Sequence, residues 1–271
     1  MLNKEFPLDA KSIHRLSSNG LSLESIKKQL NDGLDLSLEI WRAKGLDIIK
    51  KRGYFFFNTK FIPVDEAEFC IVDIETNGSK LERHQIIEIA ALKIKNGKVI
   101  DSFESLVKCD RINEHISAIT GIKVEDTTDA PSLQDVLYDF KIFLGDSIFI
   151  AHDVKFDYNF ISGSFEKVGL EPILNRYLCS LALAERTVTS YRYALSYLSD
   201  TFSLNPDATH HRAMSDVVTT YKLFLLSLEN CTENINNVED LIRFSKQANR
   251  MKRPKFDPFL EVETEKDEIS E

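Results

Sequence analysis

The sequence predicts an α/β fold behind a small, mainly helical N-terminal module, on three observations. Strand patterns at residues 69–74, 86–94 and 99–107 follow one another closely, and Asn96-Gly97 between the last two is a hairpin-turn dipeptide. Helical and strand patterns then alternate, with a helix over 133–144, a buried strand over 147–151 and a helix over 156–168 stopped by Gly169. Finally, Met214, Val217, Val218, Tyr221, Phe224, Leu225 and Leu228 form one apolar stripe at helical spacing.

In chain order, Leu23, Ile26 and Leu30 mark a first short helix and residues 38–43 a second. Ser22 caps the first; Asp35 or Ser37 is the candidate cap of the second. Residues 47–50, the basic turn Lys51-Arg52-Gly53 and the strand-like Tyr54-Phe55-Phe56-Phe57 complete a helix, helix, hairpin order, which is that of a small winged-helix module. The α/β pattern occupies about 66–230. Beyond it come a helix around 238–251, the basic Lys252-Arg253-Pro254-Lys255 and Phe256-Asp257-Pro258-Phe259-Leu260. Residues 256–271 carry seven acids and one base, so a disordered tail is expected. The chain thus divides at 1–65, 66–230 and 231–271.

At 43% apolar residues the chain can bury an ordinary core, and its four scattered cysteines, Cys70, Cys109, Cys179 and Cys231, have neither zinc-site nor disulfide spacing. No apolar run approaches the roughly 18 residues of a membrane span, so the expectation is a cytoplasmic protein with no membrane partner. The net charge of −9 argues against a protein that grips long nucleic acid mainly by neutralising phosphates. The sign is uneven: residues 1–65 carry 11 Lys and Arg against 8 Asp and Glu, a net of +3, which leaves −12 for the remainder.

Chemistry concentrates in a few acids. In Cys70-Ile71-Val72-Asp73-Ile74-Glu75-Thr76 the two acids are two residues apart, so they share a strand face. Burying unpaired carboxylates costs several kcal/mol, and a bound cation is the usual compensation; solvated acids at a strand end are the plain alternative. Asp157 stands at a helix start, where the macrodipole favours an anion. Asp216 borders the apolar stripe, and His210-His211 precedes that helix at a junction where a histidine can meet a bound water.

Taken together, Asp73-Ile74-Glu75-Thr76-Asn77-Gly78, Ala151-His152-Asp153-Val154-Lys155-Phe156-Asp157 and His211-Arg212-Ala213-Met214-Ser215-Asp216 resemble the three motifs of the DEDDh (DnaQ-like) 3′→5′ exonuclease family. That family includes the epsilon proofreading subunit of bacterial DNA polymerase III and the exonuclease domain of the Gram-positive replicative polymerase. The resemblance implies an RNase H-like fold, a mixed central sheet flanked by helices. It implies that Asp73, Glu75, Asp157 and Asp216 hold two Mg²⁺ or Mn²⁺ ions, for which oxygen ligands are suited. It gives His211, five residues before Asp216, the role of general base in preference to His210. Thr76, Thr120-Gly121-Ile122, His152, Asp153 and Phe156 become the expected substrate contacts. Asp153 stands where the family usually has asparagine, and Arg212 stands where the family's tyrosine subgroup has its tyrosine.

The function so implied is removal of nucleoside monophosphates from DNA 3′ ends, single-stranded or mismatched, in proofreading or repair. A replicative polymerase subunit or a sliding clamp is the expected protein partner. An RNA 3′-end trimming enzyme and a catalytically silent end-binding module are the alternatives. The 2′-hydroxyl separates DNA from RNA substrates, and clustered repelling carboxylates argue against the silent module. The N-terminal module is open to two readings: duplex binding with a helix in the major groove and Lys50-Lys51-Arg52 on the backbone, or docking to protein.

Overall fold

The computed structural model describes residues 7–30, 33–206, 211–231 and 234–258. Helix α1 (Ala10–Ser17) begins where the Asp9 carboxylate accepts a hydrogen bond from the Ser12 backbone N–H. The apolar pattern does not announce this helix, because Leu16 is its only buried apolar side chain. Strand β1 (Leu21–Ser22) leads into α2 (Leu23–Lys27), which Ser22 caps as expected. Helix α3 (Leu34–Ala43) starts one turn earlier than its apolar pattern, with Gly33 as its cap residue. Neither Asp35 nor Ser37 caps it: Asp35 lies inside the first turn and Ser37 is buried.

Strands β2 (Ile48–Lys51) and β3 (Tyr54–Phe57) form the hairpin, and β1 pairs with the other side of β3. Arg52 and Gly53 turn the chain with φ of 52° and 85°, the left-handed pair that a two-residue hairpin turn requires. Strand alternation sends Phe55 and Phe57 into a core with Leu16, Leu21, Ile26 and Trp41, and leaves Tyr54 half exposed. A 3₁₀ turn (Asn58–Phe61) then leads out of the module.

Strands β4 (Phe69–Thr76), β5 (Ile86–Lys95) and β6 (Lys98–Leu106) form an antiparallel meander, with the expected Asn96-Gly97 turn at φ of 50° and 66°. After α4 (Glu114–Thr120), α5 (Val124–Thr127) and α6 (Leu133–Leu144), β7 (Ile148–Ala151) joins the other side of β4 in parallel. Helix α7 (Val154–Lys167) and a short strand β8 (Tyr177–Cys179), parallel to β7, complete the mixed sheet in the order β6-β5-β4-β7-β8. Gly169, at φ 77°, follows α7 and donates its N–H to the Glu166 carbonyl. Helices α8 (Ser180–Thr187), α9 (Leu195–Phe202), α10 (Ala213–Glu229) and α11 (Val238–Gln247) follow.

Alternation along β4 divides the core. Cys70, Val72 and Ile74 pack with Phe140 of α6 and with Ile161 and Phe165 of α7, while Phe69 and Ile71 pack with Val217 and Phe224 of α10. Helix α10 buries more than its predicted stripe: Leu223 packs on a second side with Ala184 of α8 and Leu198 of α9. Helix α11 is shorter than the predicted 238–251, because from Ala248 the backbone is extended and the Met251 N–H bonds to the Glu185 carbonyl. The predicted disorder from 256 is corrected at its start: Asp257 is buried, accepts a hydrogen bond from Tyr197 Oη at 2.7 Å and pairs with Arg192. The rest of that predicted tail, 259–271, lies outside the described residues. Among the described residues no helix is long and apolar enough to cross a membrane.

The N-terminal module packs against the starting ends of β4, β7 and β8. The Leu174 N–H donates to the Lys44 carbonyl, Lys44 pairs with Glu171, and Asn58 and Thr59 lie beside Glu68 and Ser147. Because those three strands run in parallel, their finishing ends are at the opposite side of the sheet.

Candidate active site

At that opposite end the chain gathers its acids. Asp73 and Glu75 continue the Phe69 and Ile71 face of β4, and a register shift between Glu75 and Thr76 ends the regular pairing with β5. Asp157 enters from the first turn of α7 and is 4% exposed. Asp216 enters from the first turn of α10, where its Oδ2 accepts the His211 backbone N–H at 3.2 Å. His211 has φ 61°, and this left-handed turn brings its ring to within 4.8 Å, ligand atom to ligand atom, of Glu75 and Asp216.

Burial is the main force on Asp73, Asp157 and Glu75. It holds the Asp73 carboxyl well above the usual carboxylate range, and the negative charges of Asp157, Asp216, Glu75 and Glu88 push it further up. Asp157 is pushed up to about 8, chiefly by burial, although backbone N–H groups at Asp157 and Ile74 oppose the shift. Glu75 is pushed up to about 7 by burial and then by Asp216 and Glu88, with Arg212 pulling the other way. Among the described residues no ion pair compensates Asp73 or Asp157. Such a set is poorly stabilised by the protein alone and suits hard divalent cations, which take carboxylate oxygens.

One member of this region is not singled out by the motifs. Glu88 of β5 stands opposite Glu75 and is 1% exposed. It accepts hydrogen bonds from Arg212 Nη2 at 2.7 Å, Arg212 Nε at 3.2 Å and the Ala213 N–H at 2.9 Å, which ties β5 to the start of α10. The signal was available: Ile86-Ile87-Glu88-Ile89-Ala90-Ala91 is an apolar strand interrupted by an acid, as at Asp73. Its partner, Arg212, lies 124 residues away in sequence.

The expected substrate contacts fall at three places in the fold. Thr76 ends β4, Asp153 directly precedes α7, and Phe156 lies in the first turn of α7, 40% exposed with its ring 5.6 Å from Phe160. Asp153 sits before α7 at φ 64°, ψ 57°, a conformation that asparagine and aspartate tolerate better than most residues, so both fit here. Thr120, Gly121 and Ile122 form a helix end beside β5: Thr120 Oγ1 accepts the Ile122 N–H, Gly121 is left-handed at φ 72°, and Ile122 packs on Ile87. The side chains of Thr120 and Ile122 are buried. The His152 ring is engaged inside the protein on both nitrogens, with Ser180 Oγ at 3.0 Å and the Tyr193 carbonyl at 2.8 Å. It therefore braces the turn into α7. His210 lies outside the described residues.

A cluster of half-buried to buried carboxylates at the finishing end of a mixed sheet, with helices on both faces, is the architecture of a nuclease of RNase H-like fold. The family model described as Exonuclease (RNase_T) matches residues 70–224, and the chain belongs to that family. It is 34% identical over 179 residues to the DNA polymerase III PolC-type of Staphylococcus haemolyticus (strain JCSC1435), and 34% identical over 175 residues to that of Staphylococcus epidermidis (strain ATCC 12228 / FDA PCI 1200). These matches cover 65% and 64% of this chain, but the chain spans only 12% of the length of either relative. Exonuclease X in complex with 5′ overhanging duplex DNA is a structural neighbour at TM-score 0.51 and 26% identity, covering 64% of this chain and 99% of that one. Escherichia coli exonuclease I in complex with a dA16 oligonucleotide shares the fold at TM-score 0.55 and 16% identity, over 61% of this chain and 41% of that one. The family read from the three motifs is thereby borne out.

Proposed function

We propose that the chain is a DNA 3′→5′ exonuclease that releases nucleoside monophosphates, with Asp73, Glu75, Asp157 and Asp216 as ligands for two Mg²⁺ or Mn²⁺ ions and His211 as general base. The observation that carries this reading is the convergence of four acids from three elements beside a histidine, with burial leaving Asp73 and Asp157 uncompensated.

When bound, such ions supply positive charge for the scissile phosphate and the leaving 3′ oxygen. The protein's own groups do the rest. His211 takes the proton of the attacking water at a ring nitrogen, while its backbone N–H on Asp216 fixes the turn that carries the ring. The Glu88–Arg212 pair holds the start of α10, and so Asp216, against the sheet. The exposed face of Phe156 offers a stacking surface to a terminal base. DNA is favoured as substrate by the PolC-type relatives and by the DNA complex of exonuclease X, and the former favour proofreading. A polymerase subunit or clamp as partner, and a cytoplasmic location, accompany that reading.

The test is end-labelled DNA and matching RNA, single-stranded, duplex and mismatched, incubated with Mg²⁺ or Mn²⁺. A 5′ label is expected to give a descending ladder on DNA. Faster trimming of the RNA would move the assignment to an RNA 3′-end enzyme, and absence of cleavage with either metal would remove the catalytic reading.

A further inference from the structure

We propose that the N-terminal hairpin carries a second nucleic-acid surface, which holds a single-stranded part of the substrate remote from the carboxylate site. This rests on reading the chain as a nucleic-acid exonuclease, and it adds a binding site that the catalytic motifs do not contain.

The surface is a hollow of about 540 Å³ at the hairpin. Three cations, Lys51, Arg52 and Lys60, and three aromatic rings, Tyr54, Phe56 and Phe61, line it, and no carboxylate does. Local structure explains the arrangement. With Phe55 and Phe57 committed to the module core, alternation turns Tyr54 and Phe56 outward. The left-handed Arg52-Gly53 turn places Arg52 at the tip. Gly20, at φ 87°, lets the preceding chain lie directly on the Phe56 ring and the Tyr54 Cβ, where any side chain would collide. Lys51 Nζ sits 4.0 Å from the Phe61 ring centre, which keeps the cation at the rim of the hollow.

Aromatic faces interleaved with cations are what a single strand needs, bases stacking on rings while phosphates meet the charges. Tyr54 is 50% exposed and Phe61 37% exposed, so both rings reach solvent where a base can meet them. Charge points the same way, since residues 1–65 are net positive while the remainder is strongly acidic, so a polyanion is drawn to this end of the molecule. Insertion of α3 into a duplex groove fits less well. Its exposed residues set the carboxylates of Asp35 and Glu39 against the single cation Arg42, beside Leu36 and Ile40, so the helix lacks the positive excess that phosphates need.

The module lies at the starting end of β4 and the acids at its finishing end. From Phe69 to Glu75 the strand alone spans roughly 20 Å at about 3.3 Å per residue. A single nucleotide therefore reaches only the carboxylate site, while a long strand reaches both.

The experiment uses the full chain in EDTA, where hydrolysis is blocked. Binding of a labelled oligothymidylate of about 30 nucleotides, long enough for both surfaces, is measured by anisotropy. The double variant Lys51→Glu/Arg52→Glu and the single variant Tyr54→Ala are expected to bind roughly tenfold more weakly, with a shallower salt dependence for the double variant. With Mn²⁺, both variants should hydrolyse the p-nitrophenyl ester of thymidine monophosphate at the wild-type rate while KM for the long strand rises. Wild-type affinity and KM in both variants would overturn the proposal. So would an equal or larger effect on a duplex of the same length, or displacement of the strand by polyglutamate at equal charge concentration, which would identify an acidic-peptide site. Should a variant misfold, photocrosslinking of wild type to a 4-thiothymidine strand decides: crosslinks within 51–61 support the surface, and crosslinks confined to the carboxylate site refute it. Failure of hydrolysis with variant-sensitive binding would sink the exonuclease reading alone.

Discussion

Asp157 shows what a single residue contributes here: it is buried at the head of a helix, raised by desolvation, and lacks a cationic partner among the described residues. Asp157→Asn is expected to abolish hydrolysis while leaving the metal-free fold as stable or more so, which melting and single-turnover cleavage together would check. The sign of the pH effect follows from linkage. Between an unfolded value near 4 and the folded values of about 7 for Glu75 and about 8 for Asp157, the native state holds protons that the unfolded chain has released. Stability of the metal-free protein should therefore fall as pH rises from about 5 to about 8. The fall should be smaller in Asp157→Asn and should be reversed by Mg²⁺ or Mn²⁺; a melting temperature that rises over this window would contradict the assignment. His211→Ala should slow single-turnover cleavage by roughly 10²- to 10⁴-fold with metal and DNA binding retained, and His210→Ala should cost far less. A large effect at His210 with a small one at His211 would reverse their roles. Asp153→Asn keeps a residue tolerant of the left-handed conformation and removes one negative charge that raises Asp157, so activity at neutral pH should be preserved or increased. A large loss in that variant would show that the carboxylate itself has a role.

Between elements, the contact that decides the site is the one from β5 to α10. Glu88 is buried and directs both carboxylate oxygens at Arg212 and the Ala213 N–H, so the strand holds the first turn of the helix that carries Asp216. Arg212→Ala leaves the Glu88 charge with only a backbone partner. Because the Arg212 side chain is itself 43% exposed, water can replace part of what is lost, and a destabilisation of about 1–3 kcal/mol is expected. The fall in cleavage rate should exceed what the unfolded fraction explains, because Asp216 loses its position. Denaturant titration alongside rate measurement under fully folded conditions checks both, and an unchanged rate would reduce the pair to a stability role.

At the scale of the whole molecule, Arg176 joins three parts of the chain. It precedes β8, bonds to Glu239 of α11 through Nε at 2.8 Å and Nη2 at 2.6 Å, and lies 4.3 Å from the Phe57 ring of the N-terminal module. Glu239 also accepts Thr59 Oγ1 at 2.6 Å. Glu239→Ala would leave a guanidinium buried without its anion, a loss of about 3–5 kcal/mol. That corresponds to a melting temperature lower by on the order of 10 °C, with the initial cleavage rate of the folded protein at low temperature unchanged. A drop of only a degree or two would show that the module docks without help from the Arg176–Glu239 pair.

The local code was legible where one short segment contains the whole cause. Asn96-Gly97 specified a left-handed turn, Ser22 a helix cap, the apolar run broken by Asp73 and Glu75 a strand with two acids on one face, and the stripe of α10 its sheet-facing side. Three motifs in order specified the family. What the sequence left open depends on partners far along the chain. The Glu88–Arg212 pair, the closure of the His152 ring by Ser180 and Tyr193, and the second buried side of α10 have no local pattern, because each exists only once remote segments are packed together. Helices α8 and α9 and strand β8 are similarly silent, being too short to display a full period and held by tertiary contact. The sequence by itself determined which residues carry charge and which local turns the chain makes. Only the tertiary structure decided that Asp73, Glu75 and Asp157 are desolvated beside Asp216 at one end of the sheet while the basic hairpin faces solvent at the other, because desolvation belongs to the packed molecule and to no segment of it.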